Sequence, residues 1–290
     1  MLTQQTIDKL HQMKLNAMAS ALSEQTQNPD YASMTFEDRL SLLVDRQWDE
    51  KETRALTRRL QVARLKQPAT VEDIDFATPR GIDRSSLLSL SECEFIRSHR
   101  NVIITGPTGA GKTYIACSLA NKACRLRFSV RYFRTGSLLS SVALARADGS
   151  YPSLAKGLER TDLLVLDDWG LYPLDADAAR EIFEILEDRS DTASTMVVSQ
   201  LPVANWFDAI SAPTIADAIL DRLVHGAYRI DLQGESMRKK RSAGDSGISS
   251  STDPDRKGEE PAAATTSTVT TTPPTETTAN KGLPSDGGEG

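Results

Sequence analysis

Val102-Ile-Ile-Thr-Gly-Pro-Thr-Gly-Ala-Gly-Lys-Thr113 joins a short apolar run to a glycine-rich turn that closes on Lys-Thr. Gly106, Pro107, Thr108, Gly109, Ala110, Gly111, Lys112 and Thr113 match G-x-x-x-x-G-K-[ST]. The match sits, as that pattern requires, between an apolar strand at 101–105 and a helical pattern at 112–127. Glycines let the backbone turn tightly and aim successive N–H groups at phosphates, and the following helix points its positive end at them. Lys112 is therefore expected on the β- and γ-phosphates of ATP, and the Thr113 hydroxyl on magnesium (Mg2+).

Moving outward, strand and helix patterns alternate. Strands are expected at 101–105, 130–133, 163–167, 195–199 and 228–232, and helices at 112–127, 136–147, 176–188 and 215–224. Strands separated by helical stretches imply right-handed crossovers and a parallel sheet covered on both faces. The fold class is α/β, a P-loop NTPase core with a central parallel sheet flanked by helices.

Three further stretches carry candidate chemistry. Leu163-Leu-Val-Leu-Asp167-Asp168 is an apolar strand ending in two acids, and ligands in open parallel sheets bind outside such strand ends. Asp167 is expected to organise the magnesium shell and Asp168 to orient or deprotonate the attacking water. The bland alternative is a pair of acids capping a turn. Met196-Val-Val-Ser199-Gln200 ends another apolar strand. If that strand lies between the other two, Ser199 or Gln200 could sense the γ-phosphate; otherwise Ser199 caps a turn. Arg222, on an amphipathic helix, could reach a neighbouring subunit's γ-phosphate. On the residues themselves, a surface ion pair with Asp221 is the commoner outcome.

Residues 1–66 read as an all-helical segment for DNA or partner contact, 67–98 as a linker into the core, 99–241 as the ATPase domain and 242–290 as an acidic low-complexity tail. One helix is expected from Ile7, Leu10, Lys14, Ala17 and Ala21, broken at Asn28-Pro29-Asp30. A second starts at Thr35, where Thr35 and Asp38 form a capping box, with Phe36, Leu40, Leu43 and Trp48 as its apolar stripe and its end before Pro68. Arg54, Arg58, Arg59, Arg64 and Lys66 form a basic stretch with no acid after Glu52, and it could meet phosphate backbones, Arg54, Arg58 and Arg59 above all, or simply be solvated.

The net charge of −6 is misleading, because eight acids against three bases place −5 in residues 242–290. That tail, rich in Ser, Thr, Pro and Ala, cannot bury enough apolar surface to order itself. Three cysteines without a CxxC pair argue against a disulfide framework or a zinc site. No run approaches the roughly 18 apolar residues of a membrane span, and no export signal is evident. A cytoplasmic protein without membrane contact is expected.

The P-loop, then LLVLDDWG at 163–170, VVSQLP at 197–202, ADAILDRLVHGAYRIDL at 216–232 and GESMRKKR at 234–241, in that order, resemble the IstB-type helper ATPases of insertion-sequence transposition. The resemblance implies an AAA+ ATPase related to the DnaC-type loaders of the replicative helicase. It implies Lys112 and Thr113 as nucleotide and metal contacts, Asp167 and Asp168 as the acidic pair, and Ser199 or Gln200 as first sensor. Arg222 becomes the arginine finger, and Arg238 a candidate second sensor. It further implies ATP-dependent self-association on double-stranded DNA and delivery of that DNA to a partner transposase, which the helper stimulates. A helicase loader is the competing reading, and a nucleotide-gated scaffold without turnover a third. An ABC-type signature and a guanine-reading NKxD stretch are both missing.

Overall fold

A computed structural model of the chain describes residues 2–234. Arg238, the 238–241 basic run and the 242–290 tail lie outside the described residues.

Helices α1 (Leu2–Gln12), α2 (Asn16–Gln27) and α3 (Phe36–Ala63) open the chain. The single helix expected for the first segment is two. Lys14 turns left-handed (φ 61), and Leu15 N–H reaches Leu10 O while Lys14 N–H reaches His11 O. That is the paired closure of a helix C-terminus, here with Lys where Gly is usual. Thr35 caps α3 as expected, its hydroxyl accepting from Asp38 N–H. The expected apolar stripe of α3 is not buried as a unit. Leu43 is, whereas Phe36, Leu40 and Trp48 are exposed. The second half of α3 instead turns Ala63 inward, with Leu56 and Leu60 packed against the sheet's core.

Helices α4 (Arg84–Ser91) and α5 (Glu94–Arg97) lead into the sheet. It then alternates as β1 (Val102–Thr105), α6 (Lys112–Arg125), β2 (Val130–Arg134), α7 (Thr135–Asp148), α8 (Tyr151–Glu159), β3 (Leu163–Trp169), α9 (Ala176–Arg189), β4 (Ser194–Ser199), α10 (Pro213–Val224) and β5 (Tyr228–Asp231). All pairings are parallel, in the order β2-β3-β4-β1-β5.

Because side chains alternate across a strand, each strand feeds two cores. Val102, Ile104, Val165, Met196 and Val198 face α6 and the second half of α3. Ile103, Leu164, Leu166 and Val197 face α7, α8, α9 and α10. Strands buried on both faces read as continuous apolar runs, as 102–104 and 163–166 do. No described helix is long and apolar enough to cross a membrane.

Candidate nucleotide site

The strand order decides what meets at the sheet's C-terminal edge. β4 lies between β1 and β3, so the P-loop after β1, Asp167 near the end of β3 and Gln200 after β4 converge. They line one cavity of about 210 Å3, with Thr108, Gly109, Gly111, Lys112, Thr113, Asp168 and Ser199.

Gly106, Gly109 and Gly111 hold φ of 140°, 84° and 97°, a region side-chain-bearing residues rarely enter. A Cβ on Gly106 would lie 2.5 Å from Leu232 O, just beyond β5. α6 starts at Lys112, so its free N-terminal end faces the cavity. Lys112 Nζ donates to Gly106 O (2.7 Å) and Pro107 O (2.9 Å). Burial lowers the pKa of its ammonium, and Asp167 and Asp168 oppose that fall.

Asp167 is 2 % exposed. Its Oδ1 accepts from Asp168 N–H (2.8 Å), and its Oδ2 accepts from the Thr113 hydroxyl (2.9 Å) and from the Tyr132 hydroxyl. Burial, and then the bond to this carboxylate, raise the Tyr132 phenol far above its ordinary range, so it stays a donor. Lys66 Nζ stands 3.7 Å from the same Oδ2. A hydroxyl and a carboxylate oxygen side by side at the mouth of a phosphate cradle suit magnesium, which takes one or two protein oxygens and completes its shell with water and phosphate. Thr113 and Asp167 are the residues that could hold it.

Asp168 sits in the left-handed region (φ 59), and its carboxylate pairs with Arg134 at 3.3 Å. It is thus aimed by strain and by a cation at the end of β2. The two sensor candidates separate. The Ser199 hydroxyl donates to Trp169 O (2.7 Å) and accepts from Leu201 N–H (3.0 Å), locking the turn beside the tilted ring pair of Trp169 and Trp206. Gln200 Oε1 accepts from the Thr108 hydroxyl (2.7 Å), a direct link to the P-loop.

Arg222 does not line this cavity. Asn101, which precedes β1, donates to Arg222 O (2.7 Å). Arg222 therefore sits at the opposite edge of the sheet, a strand length or about 13 Å away. Its guanidinium bonds Glu187, which raises the arginine's pKa and lowers the glutamate's; Asp221 is a more distant partner at 3.8 Å. Among the basic residues of α3, Arg59 turns inward and donates to Cys124 O (2.9 Å). Arg54 pairs with Glu50. Arg58 is exposed.

The matching family model, "IstB-like ATP binding protein", covers residues 8–244. The chain belongs to that family. An insertion sequence ATP-binding protein of Sinorhizobium fredii, y4pL, is 46% identical over 82% of this chain and 98% of its own length. The ATP-binding protein of insertion sequence IS1162 from Pseudomonas fluorescens is 40% identical over 70% of this chain and 88% of its own. Among solved structures, the crystal structure of DnaI superposes with TM-score 0.50 at 19% identity, covering 59% of this chain and 93% of that one, which speaks to the fold. This IstB-like chain is an ATP-binding protein and an ATPase.

Residues that sequence reasoning missed are Lys66, Arg80 and Tyr132. Arg80 is buried, lines the cavity and donates to Ala110 O (3.2 Å) within the P-loop. Nothing in the P-loop pattern refers to positions 46 and 32 residues upstream, as Lys66 and Arg80 are from Lys112.

Proposed function

We propose that this chain is an ATP-dependent, DNA-binding helper of transposition. It assembles on double-stranded DNA, recruits and stimulates a partner transposase, and uses hydrolysis to control assembly and release. The observation that carries the reading is the division of the expected catalytic set. Lys112, Thr113, Asp167, Asp168 and Gln200 share one cavity, while Arg222 lies at the far edge of the same sheet. A site so divided is completed by a second subunit, whose Arg222 leaves Glu187 for the γ-phosphate; magnesium is held by Thr113 and Asp167. Gln200 is the sensor this geometry favours, with Ser199 holding its turn.

The two halves of α3 suit different partners. Arg54 and Arg58 are one turn apart on the second half and suit a phosphate backbone. On the first half, Phe36, Leu40, Val44 and Trp48 recur every four residues and are exposed, beside the exposed acids Glu37, Asp45 and Asp49. An apolar row with an acidic margin repels DNA and suits a basic amphipathic segment of the transposase.

Duplex binding measured with and without ATP tests the reading. Binding should need ATP, fail in Lys112→Ala and weaken in Arg54→Ala/Arg58→Ala. ATP-independent binding of equal strength in Lys112→Ala would overturn it.

A further inference from the structure

The cation nearest the buried carboxylate is not part of the P-loop. Lys66 lies two residues beyond Arg64, the left-handed residue that closes α3. Leu65 packs on the core and Ala69 is buried, so the backbone here is held on both sides of Lys66. Its ammonium reaches into the nucleotide cavity to within 3.7 Å of Asp167 Oδ2. That oxygen already accepts from Thr113 and Tyr132.

We propose that Lys66 is a second lysine of the ATP site, a γ-phosphate contact supplied by the end of α3 that ties the N-terminal helical region to bound nucleotide. This rests on the reading of Thr113 and Asp167 as the magnesium-holding pair. A divalent cation there neutralises the oxygen that Lys66 faces and repels its ammonium. The strongest anion that a bound nucleotide then offers Lys66 is its terminal phosphate, since the P-loop and Thr113 line the same cavity. A lysine's flexible stem can swing between two such anions while its backbone stays fixed. Arg80 makes the contribution of this segment broader. Its guanidinium is buried beside the P-loop, and Nε has no hydrogen-bond partner among the described residues. Residues 66–80 thus bring two cations, Lys66 and Arg80, to the cavity wall, alongside the carboxylates of Asp73 and Asp75. A phosphate contact made from the end of α3 gives the DNA- and partner-facing helices a means to distinguish ATP from ADP.

The test is isothermal titration of the full chain with magnesium and either AMP-PNP or ADP, in wild type, Lys66→Met and Lys66→Arg. Lys66→Met should weaken AMP-PNP binding about tenfold, or about 1.4 kcal/mol, and ADP by less than about twofold. Lys66→Arg should recover most of the loss. Hydrogen exchange over residues 56–68 should change with AMP-PNP in wild type and not in Lys66→Met. Equal weakening of both nucleotides would make Lys66 a mere prop for Asp167 and overturn the proposal, as would unchanged affinity for both. Failure of wild type to bind either nucleotide would instead overturn the P-loop reading beneath it.

Discussion

Replacing Gly106 by alanine tests how tightly the phosphate loop is built into the sheet. The new Cβ would lie 2.5 Å from Leu232 O and 2.8 Å from Leu232 Cβ, at a φ of +140°. Leu232 cannot yield easily, because it is buried and its N–H is bonded to Thr105 O at 2.8 Å. Backbone strain of about 1–3 kcal/mol adds to an overpacking cost of about 1–3 kcal/mol. A combined loss of about 4 kcal/mol is a large share of a total stability of about 5–15 kcal/mol. It corresponds to a fall of roughly 8–16 °C in melting temperature for a domain of this size. Two controls grade the effect. Gly111→Ala meets only the Arg80 Nη1 tip, at 2.8 Å, though at φ +97°, and should cost about 1–2 kcal/mol, mostly backbone strain. Gly136→Ala meets nothing within 4 Å and should be neutral or gain about 0.5 kcal/mol as a better helix former. Circular-dichroism melts of the three variants give the order directly. A Gly106→Ala protein that melts within about 2 °C of wild type would refute the reasoning.

Further perturbations follow from the same geometry. Arg189, 1 % exposed, donates to Leu158 O, Thr161 O and Ser194 O; Arg189→Met removes all three bonds, though Leu158 O still accepts from Thr161 N–H, and should lower stability by about 3 kcal/mol in urea titrations. Burial pushes the thiols of Cys93 up to about 12 and Cys124 up to about 11, and raises that of Cys117. At pH 8 the native chain should therefore react slowly with a thiol reagent, while the urea-unfolded chain should label at all three cysteines. Since the folded values lie above the unfolded one, this contribution to stability is present below about pH 9 and is lost as pH rises towards 11–12. The alkaline fall in the urea midpoint should shrink in Cys93→Ala.

The sheet was legible because strands buried on both faces leave uninterrupted apolar runs, and because the P-loop pattern demands a strand before it and a helix after. Asp167 was legible for the same reason, as the polar end of such a run. The finger role of Arg222 comes from the family resemblance alone; its neighbours in the sequence favoured an ion pair, and Arg222 is indeed paired, chiefly with Glu187 and more distantly with Asp221. The α1–α2 break was not, because left-handed Lys14 carries no glycine signal. Helices α4 and α8 did leave marks that went unread: Asp83 accepts from Ser86 N–H at the start of α4, and Pro152 occupies the first turn of α8. The exposed row on α3 misled because periodicity identifies an apolar face but not what covers it. Lys66 was legible only as part of a basic stretch, and Arg80 not at all, since their proximity to the P-loop is created by the path of the chain from α3 into β1.

The central claim is that one subunit's cavity is completed by another's Arg222, and a mixing experiment tests it most directly. Lys112→Ala cannot use its own cavity yet retains Arg222; Arg222→Ala retains the cavity and lacks the finger. ATP hydrolysis on duplex DNA is measured for each and for equimolar mixtures. The account predicts that neither variant turns over appreciably and that the mixture regains activity, as Lys112→Ala subunits supply Arg222 to intact cavities. Full activity of Arg222→Ala by itself, or a mixture no more active than its components, would contradict it.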